Sequence, residues 1–282
     1  MFLPDVLAGQ TILITGGGTG LGRAMAEQFA SVGAKVGVVG RRAEPLAETV
    51  AAIRAAGGAA ASAQCDVRDP ASVAAAVDAI EAALGPVTAL INNAAGNFLS
   101  PTEDLSPNAF NAVIQIVLNG TFHCTHDLGK RWIARGTPGQ VLSIVTTYAW
   151  TGSAFVVPSA CAKAGVLVLT KSLAVEWATY GIRLNAIAPG PFPTEGAFAK
   201  LMPAGMAEAA LQQIPLKRFG EPSELAHLAT YMLSPLAGYM TGSCVTLDGG
   251  EVLKAGQEFS RMTDVPRDTL KQVMAAMRPS KR

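Results

Sequence analysis

A glycine-rich turn near the start of the chain constrains its fold more than any other feature. The residues Thr15-Gly16-Gly17-Gly18-Thr19-Gly20-Leu21-Gly22 follow a short apolar segment and open an alanine-rich one. Glycines permit a tight turn that brings backbone N–H groups close to a pyrophosphate, and the start of a helix adds a favourable dipole. Because a strand is expected before the turn and a helix after it, we interpret it as a dinucleotide-binding turn rather than a structural loop.

Short β-branched segments alternate with alanine-rich segments along the rest of the chain. The predicted strands are Thr11–Thr15, Lys35–Gly40, Ala60–Cys65, Val87–Asn92, Gln140–Thr146, Arg183–Ala188 and Ser243–Leu247. The predicted helices are Gly20–Val32, Pro45–Ala56, Pro70–Leu84, Pro107–Arg135, Ser159–Tyr180 and Pro222–Ser234. Most of the strand segments are continuously apolar, which is typical of a parallel sheet covered on both faces. We therefore predict an α/β protein with a single-domain Rossmann fold, in which helices flank a doubly wound, seven-stranded parallel sheet.

Length and the absence of a linker or repeat favour one domain over residues 1–282, with a core of residues 8–250 and a C-terminal extension of residues 251–282. The segment Pro191–Pro215, rich in Pro, Gly and Met, lies outside the alternating pattern. In the extension, an apolar stripe at helical spacing predicts contact either with the end of a substrate site away from the cofactor or with a neighbouring subunit. The residues of this stripe are Leu270, Val273, Met274 and Met277.

Composition excludes several classes of partner. The formal net charge is +1, so no basic excess indicates nucleic acid. No uninterrupted apolar run reaches the roughly 20 residues of a membrane span, and no leader segment is recognised, so we expect a cytoplasmic protein. The four cysteines form no CxxC pair, and His123 and His126 have no further ligand nearby in sequence, so we predict no metal site.

Two arginines end the second predicted strand, in Gly40-Arg41-Arg42. An NAD enzyme usually carries an acidic residue here, which accepts a hydrogen bond from the ribose 2′-hydroxyl. Arginines instead bind a 2′-phosphate through charge-assisted hydrogen bonds. The sequence therefore favours NADP(H), and a solvated basic turn is the alternative.

Other candidate cofactor residues also follow predicted strands, where open α/β sheets bind ligands. Asp66 and Val67 follow the third strand, where the adenine would lie, and further segments follow the fourth and sixth. Together with the turn and the arginines, the candidates are Gly16, Thr19, Gly20, Leu21, Gly22, Arg41, Arg42, Asp66, Val67, Asn93, Ala94, Ala95, Gly96, Pro189, Gly190 and Pro191.

These motifs resemble the short-chain dehydrogenase/reductase family over about residues 8 to 250. Thr15–Gly22 matches the family's TGxxxGxG pattern, and Asn92–Gly96 matches its NNAG with one added alanine. The resemblance makes Asn119 the family's structural asparagine and Lys163 its catalytic lysine, which holds the nicotinamide ribose. Two positions depart from the pattern. The tyrosine of YxxxK is replaced by Ser159, and the family's catalytic serine falls at or beside Thr146.

Three segments are similar to one branch of the family, the NADPH-dependent 2,4-dienoyl-CoA reductases of the mitochondrial type. They are Asn92–Phe98, Leu142–Ser159 and Pro189–Phe198. The resemblance implies an acyl-CoA thioester substrate and a homotetramer that pairs the helices Pro107–Arg135 and Ser159–Tyr180. It also implies that Tyr148 and Asn119 bind the thioester carbonyl and that Ser159 supports Lys163. The expected substrate residues are Asn97, Phe98, Tyr148 and Phe198.

The position of Tyr148 agrees with this chemistry. A carbonyl reductase delivers hydride to the carbonyl carbon, so its proton donor lies beside the nicotinamide. A 2,4-dienoyl thioester accepts hydride at C5, and charge then develops on an oxygen several bonds away. A tyrosine absent at 159 and present at 148 is consistent with that displacement. Water or a nearby donor would then protonate Cα and give a 3-enoyl-CoA, as the resemblance implies.

Alternatives stay open at this point. Another reductase of acyl-CoA, such as a 2-enoyl-CoA or 3-oxoacyl reductase, would use the same scaffold. A non-catalytic NADP-binding scaffold is a different class, which the retained Lys163 disfavours. Asn119 could bridge groups within its own helix, and Tyr148 could be a loop aromatic packed on Trp150. Trp150, Phe155 and Phe198 could line an acyl channel or fill the core.

Overall fold

The computed structural model describes residues 2–194, 206–255, 262 and 264–276. Its strands form a single seven-stranded sheet in the order β3-β2-β1-β4-β5-β6-β7, and every neighbouring pair is parallel. The strands are β1 (Thr11–Thr15), β2 (Lys35–Gly40), β3 (Ala59–Gln64), β4 (Ala89–Asn92), β5 (Gly139–Ile144), β6 (Ile182–Pro189) and β7 (Cys244–Leu247). The predicted seven-stranded parallel Rossmann sheet is confirmed.

Helices cover both faces of the sheet. They are α1 (Gly20–Ser31), α2 (Ala43–Ala55), α3 (Pro70–Leu84), α4 (Pro107–Ile114), α5 (Gly120–Arg135), α6 (Tyr148–Thr151), α7 (Val157–Glu176), α8 (Met206–Gln213), α9 (Pro222–Leu233), α10 (Glu251–Ala255) and α11 (Arg267–Ala276). Successive side chains of β1 lie on opposite faces of the sheet. Ile12 and Ile14 pack in the layer of α1 and α9, whereas Leu13 packs in the layer of α3 and α5. This two-sided burial explains why the strands read as continuous apolar runs.

The strand order reverses between β1 and β4. The chain first builds β1, β2 and β3 outward in one direction and then crosses back to place β4 on the other side of β1. Loops leaving β1 and β4 therefore diverge at their carboxyl ends and leave a crevice, which is where ligands bind in open α/β sheets. The glycine-rich turn and the segment Asn93–Phe98 both begin at this crevice.

The helix predicted over Pro107–Arg135 is interrupted. A π-helical turn, Gln115–Asn119, separates α4 from α5. At Gly120, where α5 begins, a Cβ atom would lie 2.6 Å from Val67 Cγ2, so the backbone passes close to the segment that follows β3. Wide turns of this kind accumulate at functional sites. Hydrophobic periodicity cannot reveal one, because it shifts the pattern by only one residue.

The helix α7 is the longest described helix, with 20 residues. Its length and mean hydropathy of 1.2 would allow it to cross a membrane, but 44% of its most apolar window is buried within the protein. The two segments predicted to pair with a neighbouring subunit, Pro107–Arg135 and Ser159–Tyr180, also contribute to the chain's own core through Val113, Val117, Val166 and Trp177.

Candidate active site

The backbone of the glycine-rich turn excludes side chains, both by its conformation and by its close contacts. Gly16 and Gly20 have left-handed φ values of 66° and 55°. A Cβ on Gly17 would lie 2.6 Å from Val38 Cγ1, and one on Gly22 would lie 2.3 Å from the carbonyl oxygen of Gly16. Only glycine tolerates these contacts, so the sequence pattern has a direct geometric cause.

Polar contacts join this turn to the end of β4. The Asn93 amide donates to the carbonyl oxygens of Thr15 at 3.0 Å and Gly16 at 3.2 Å. The Thr15 hydroxyl oxygen accepts the N–H groups of Asn93 at 3.0 Å and Ala94 at 2.9 Å. The two loops that border the crevice therefore form one connected unit. Asn93 thus has a structural contact that its place in the NNAG-like motif did not reveal.

The crevice fits a nicotinamide dinucleotide. Thr19 stands at the N-cap of α1, but its side chain makes no capping hydrogen bond to the first turn of that helix. N–H groups at the start of α1 therefore point to the crevice without a side-chain acceptor from the cap, as an anion site requires. Gly16, Gly20, Leu21 and Gly22 belong to this cradle and would hold the pyrophosphate.

The two arginines after β2 are exposed at the same edge of the sheet. Neither guanidinium forms a hydrogen bond or ion pair within the described part of the chain, whereas the Arg41 carbonyl accepts the Gln64 amide at 3.1 Å. Two unpaired cations at the end of β2 are suited to a phosphate group on the adenosine ribose. Val67 follows β3, and its carbonyl lies 2.9 Å from His123 Nδ1.

A cluster of three polar side chains lies at the carboxyl ends of β4 and β5. The Tyr148 hydroxyl lies 3.1 Å from Ser159 Oγ, and the Asn97 amide donates to the same hydroxyl at 3.3 Å. Asn97 is itself oriented by the N–H of Phe98, which donates to Asn97 Oδ1 at 2.9 Å. Tyr148 begins α6 and Ser159 lies in the first turn of α7. The tyrosine hydroxyl therefore contacts Ser159, the residue that stands at the tyrosine position of YxxxK.

Lys163 completes the cluster one helical turn beyond Ser159. Residues four apart lie on the same face of a helix, so both side chains point from α7 toward the end of β5. The Lys163 ammonium donates to the carbonyl oxygen of Ile144, the last residue of β5. Burial disfavours the charged form and lowers the pKa of Lys163 to about 8.

Asn119 makes a different contact. It ends the π-helical turn, and its amide donates to Gln115 Oε1 at 3.0 Å. Within the described residues, no hydrogen bond joins Asn119 to Tyr148, Ser159 or Lys163. The structure thus pairs Tyr148 with Asn97, which the sequence named only as a substrate residue. The available signal was position, because Asn97 directly follows the Asn92–Gly96 motif at the same strand edge.

Segments around the cluster form its rim. The end of β6 packs closely on the turn after β7, since a Cβ on Gly190 would lie 2.7 Å from Asp248 Cβ. Trp150 and Phe155 are 46% and 58% exposed, so neither is a core residue. The Phe155 carbonyl accepts the N–H of Ser100 at 2.9 Å and so connects the loops after β4 and β5. Phe198, predicted to contact substrate, lies outside the described residues.

The two helical histidines make separate contacts. His123 faces Val67, whereas the ring of His126 stacks on Phe122 with centroids 5.3 Å apart. Across the described ranges, no group of three or more His, Cys, Asp or Glu side chains could hold a metal ion.

Comparison with known proteins places the chain among enzymes of one family. Residues 16–251 match the family model described as "Enoyl-(Acyl carrier protein) reductase". An uncharacterized oxidoreductase of Caenorhabditis elegans is 50% identical over 253 residues, which cover 88% of this chain and 81% of that protein. A Bacillus subtilis protein named "Probable 2,4-dienoyl-CoA reductase [(2E)-enoyl-CoA-producing]" is 47% identical over 246 residues, which cover 86% of this chain and 97% of that protein.

Solved structures agree with these sequence matches. A short chain dehydrogenase from Bacillus anthracis superposes with a TM-score of 0.79 at 46% identity, covering 86% of this chain and 96% of that one. A protein of Agrobacterium tumefaciens solved with bound NADP superposes with a TM-score of 0.81 at 35% identity, covering 89% and 99%. The strand order of the sheet, the glycine cradle and the family match over residues 16–251 lead to one conclusion. This chain is an oxidoreductase of the short-chain dehydrogenase/reductase family.

Proposed function

We propose that this protein is an NADP(H)-dependent reductase of 2,4-dienoyl-CoA thioesters. The observation that carries the proposal is the contact between the Tyr148 hydroxyl and Ser159 Oγ, at 3.1 Å. The tyrosine of the usual YxxxK pattern is absent from α7, and Tyr148 of α6 contacts the serine that stands in its place. The name of the Bacillus subtilis relative supports the same substrate class.

In this proposal, Tyr148 and Asn97 stabilise charge on the thioester oxygen. When held in the crevice, NADPH would supply the hydride that C5 of the substrate accepts. As the C4–C5 double bond is reduced, its electron pair moves through the conjugated chain to that oxygen, where two fixed donors lower the energy of the dienolate. The Tyr148 hydroxyl and the Asn97 amide lie 3.3 Å apart and are suited to be those donors. We assign to Asn97 the role that the resemblance implies for Asn119, because the Asn97 amide contacts the Tyr148 hydroxyl.

Ser159 and Lys163 support these donors. Ser159 is buried and contacts the Tyr148 hydroxyl, so it positions the phenol. Lys163 adds positive potential below its pKa and would hold the nicotinamide ribose. Protonation of the dienolate at Cα gives a 3-enoyl thioester, and protonation at C4 gives a 2-enoyl thioester. Both balance the reaction, since one hydride and one proton are added.

Three substrates distinguish the proposal from its alternatives. NADPH consumption is measured with hexa-2,4-dienoyl-CoA, crotonyl-CoA and acetoacetyl-CoA, and the double bond of the product is located by mass spectrometry or NMR. We expect turnover with the dienoyl thioester to exceed that with the other two. Preference for crotonyl-CoA would indicate a 2-enoyl-CoA reductase, and preference for acetoacetyl-CoA a 3-oxoacyl reductase. NADPH binding without turnover of any thioester would favour a non-catalytic scaffold.

The cofactor is proposed to be NADP(H) because of Arg41 and Arg42. We expect NADPH to bind at least about tenfold more tightly than NADH, which is about 1.4 kcal/mol. Replacing both arginines by alanine removes most of that difference. Equal affinities in the unaltered protein, measured by nucleotide fluorescence, would contradict the assignment.

We also propose a homotetramer that forms through α5 and α7. The exposed apolar residues on these helices are Phe122, Val168 and Val175, at 45%, 62% and 81% exposure. Burying them against a second copy removes apolar surface from water. Light scattering at micromolar concentration tests the assembly, and a monomer would contradict it.

A further inference from the structure

An acidic residue lies unexpectedly close to the arginines that select the cofactor. Asp66 follows β3 and is held by a nearby guanidinium. Arg68 Nε lies 2.9 Å from Asp66 Oδ1, and Arg68 Nη2 lies 2.5 Å from Oδ2. The backbone N–H of Arg68 also donates to Oδ1, at 3.1 Å. Both oxygens of the carboxylate are thus paired with one arginine.

The sheet places this ion pair beside the turn after β2. Strands β2 and β3 are parallel neighbours with Gly40 opposite Gln64. Beyond that pair, the N–H of Cys65 donates to the Gly40 carbonyl at 2.9 Å, and the Gln64 amide donates to the Arg41 carbonyl at 3.1 Å. The segments that carry Asp66 and Arg41 therefore leave the sheet side by side.

Electrostatics make Asp66 a permanent anion at this edge. Hydrogen bonding from Arg68, and to a smaller extent the charge of Arg41, lowers the pKa of Asp66 to about 2. A cofactor with a 2′-phosphate would bring two further negative charges to the same edge. Like charges a few ångströms apart repel unless a cation lies with them. An unpaired Asp66 would therefore disfavour NADPH and favour NADH.

We propose that Arg68 is a cofactor-specificity residue, which neutralises Asp66 and so permits a 2′-phosphate to bind beside Arg41 and Arg42. This rests on the proposed use of NADP(H). Stability alone does not account for the pair, because Arg68 and Asp66 are 45% and 30% exposed and ion pairs this open add little to folding. Arg68 is thus a positioning residue that acts on the phosphate through Asp66.

Binding of NADPH and NADH to the full chain tests the proposal without any substrate. Dissociation constants are measured by fluorescence for the unaltered protein, Arg68→Ala and Arg68→Lys. We expect Arg68→Ala to weaken NADPH binding about fivefold and to leave NADH binding almost unchanged. Arg68→Lys keeps a cation beside Asp66 and should retain the NADPH affinity to within about twofold. Unchanged NADH binding by Arg68→Ala also shows that loss of Arg68 leaves the fold intact.

A matched control removes another exposed arginine that chelates a carboxylate. Arg218 binds Glu224 through contacts of 2.6 and 2.7 Å at the start of α9, and Arg218→Ala is expected to leave both dissociation constants unchanged. An unchanged NADPH-to-NADH ratio in Arg68→Ala would overturn the proposal, and so would an Arg68→Lys variant that binds NADPH as weakly as Arg68→Ala. Equal affinities in the unaltered protein would overturn the NADP(H) assignment as well. Failure to reduce dienoyl-CoA affects neither binding result.

Discussion

Replacement of Tyr148 by phenylalanine tests the proposed reaction most directly. The variant keeps the aromatic ring at the start of α6 and removes only the hydroxyl. That hydroxyl contacts Ser159 Oγ at 3.1 Å and accepts the Asn97 amide at 3.3 Å. Tyr148→Phe therefore removes one donor aimed at the thioester oxygen and leaves a buried serine hydroxyl and a half-buried amide without this partner.

The expected loss follows from that geometry. Removing one donor directed at developing charge costs roughly 100- to 1000-fold in kcat, or about 2.7–4 kcal/mol. The KM should change less, since the ground-state carbonyl carries less charge than the dienolate. Loss of the contact with Ser159 also costs stability, about 1 kcal/mol for one unmade hydrogen bond. That amount leaves the protein folded.

The assay is NADPH oxidation with hexa-2,4-dienoyl-CoA at saturating substrate. Tyr180→Phe is the matched control, because Tyr180 is 49% exposed in the turn after α7 and should keep full activity. Asn97→Ala should reduce kcat by a similar or smaller factor than Tyr148→Phe, and Ser159→Ala by the least. Near-normal turnover of Tyr148→Phe together with an inactive Ser159→Ala would refute the reasoning. Catalysis would then depend on Ser159 and Lys163 alone.

Three further outcomes are expected. The kcat/KM should fall as pH rises through about 8, because Lys163 loses its positive charge there; a flat profile between pH 7 and 9 would contradict this. Gly22→Ala should weaken NADPH binding at least about tenfold without unfolding the protein, as fluorescence and circular dichroism would show, because its Cβ would lie 2.3 Å from the Gly16 carbonyl oxygen. Asp264→Asn should leave the melting temperature and the NADPH dissociation constant almost unchanged, because its 2.6 Å contact with the Lys254 ammonium involves a carboxylate that is 49% exposed and ion pairs this open add little to stability. A clear fall in the melting temperature would contradict this.

Local patterns in the sequence determine most of the architecture. Continuous apolar runs predict strands buried on both faces, and the alternation with helical segments predicts the parallel sheet that the structure shows. The glycine-rich turn can also be predicted from the sequence, because its glycines are required by local geometry. Gly16 has a left-handed backbone conformation, and Gly17 and Gly22 lie too close to other atoms for a side chain. Such requirements involve residues that are near in sequence or on the adjacent strand.

Only the tertiary structure showed which candidate active-site side chains contact one another. Tyr148 and Ser159 are 11 residues apart, and Asn97 is 51 residues from Tyr148, yet all three meet at one hydroxyl. The resemblance to known reductases implies a role for Asn119, whose amide donates to Gln115 within the π-helical turn, and gave no indication of the contact between Asn97 and Tyr148. Parallel strands bring their carboxyl ends to one edge whatever their separation in the chain, but which side chains touch there depends on loop paths and helix starts. Loop paths and helix starts are determined by packing among distant segments, so the hydrophobic periodicity of a single segment does not predict them.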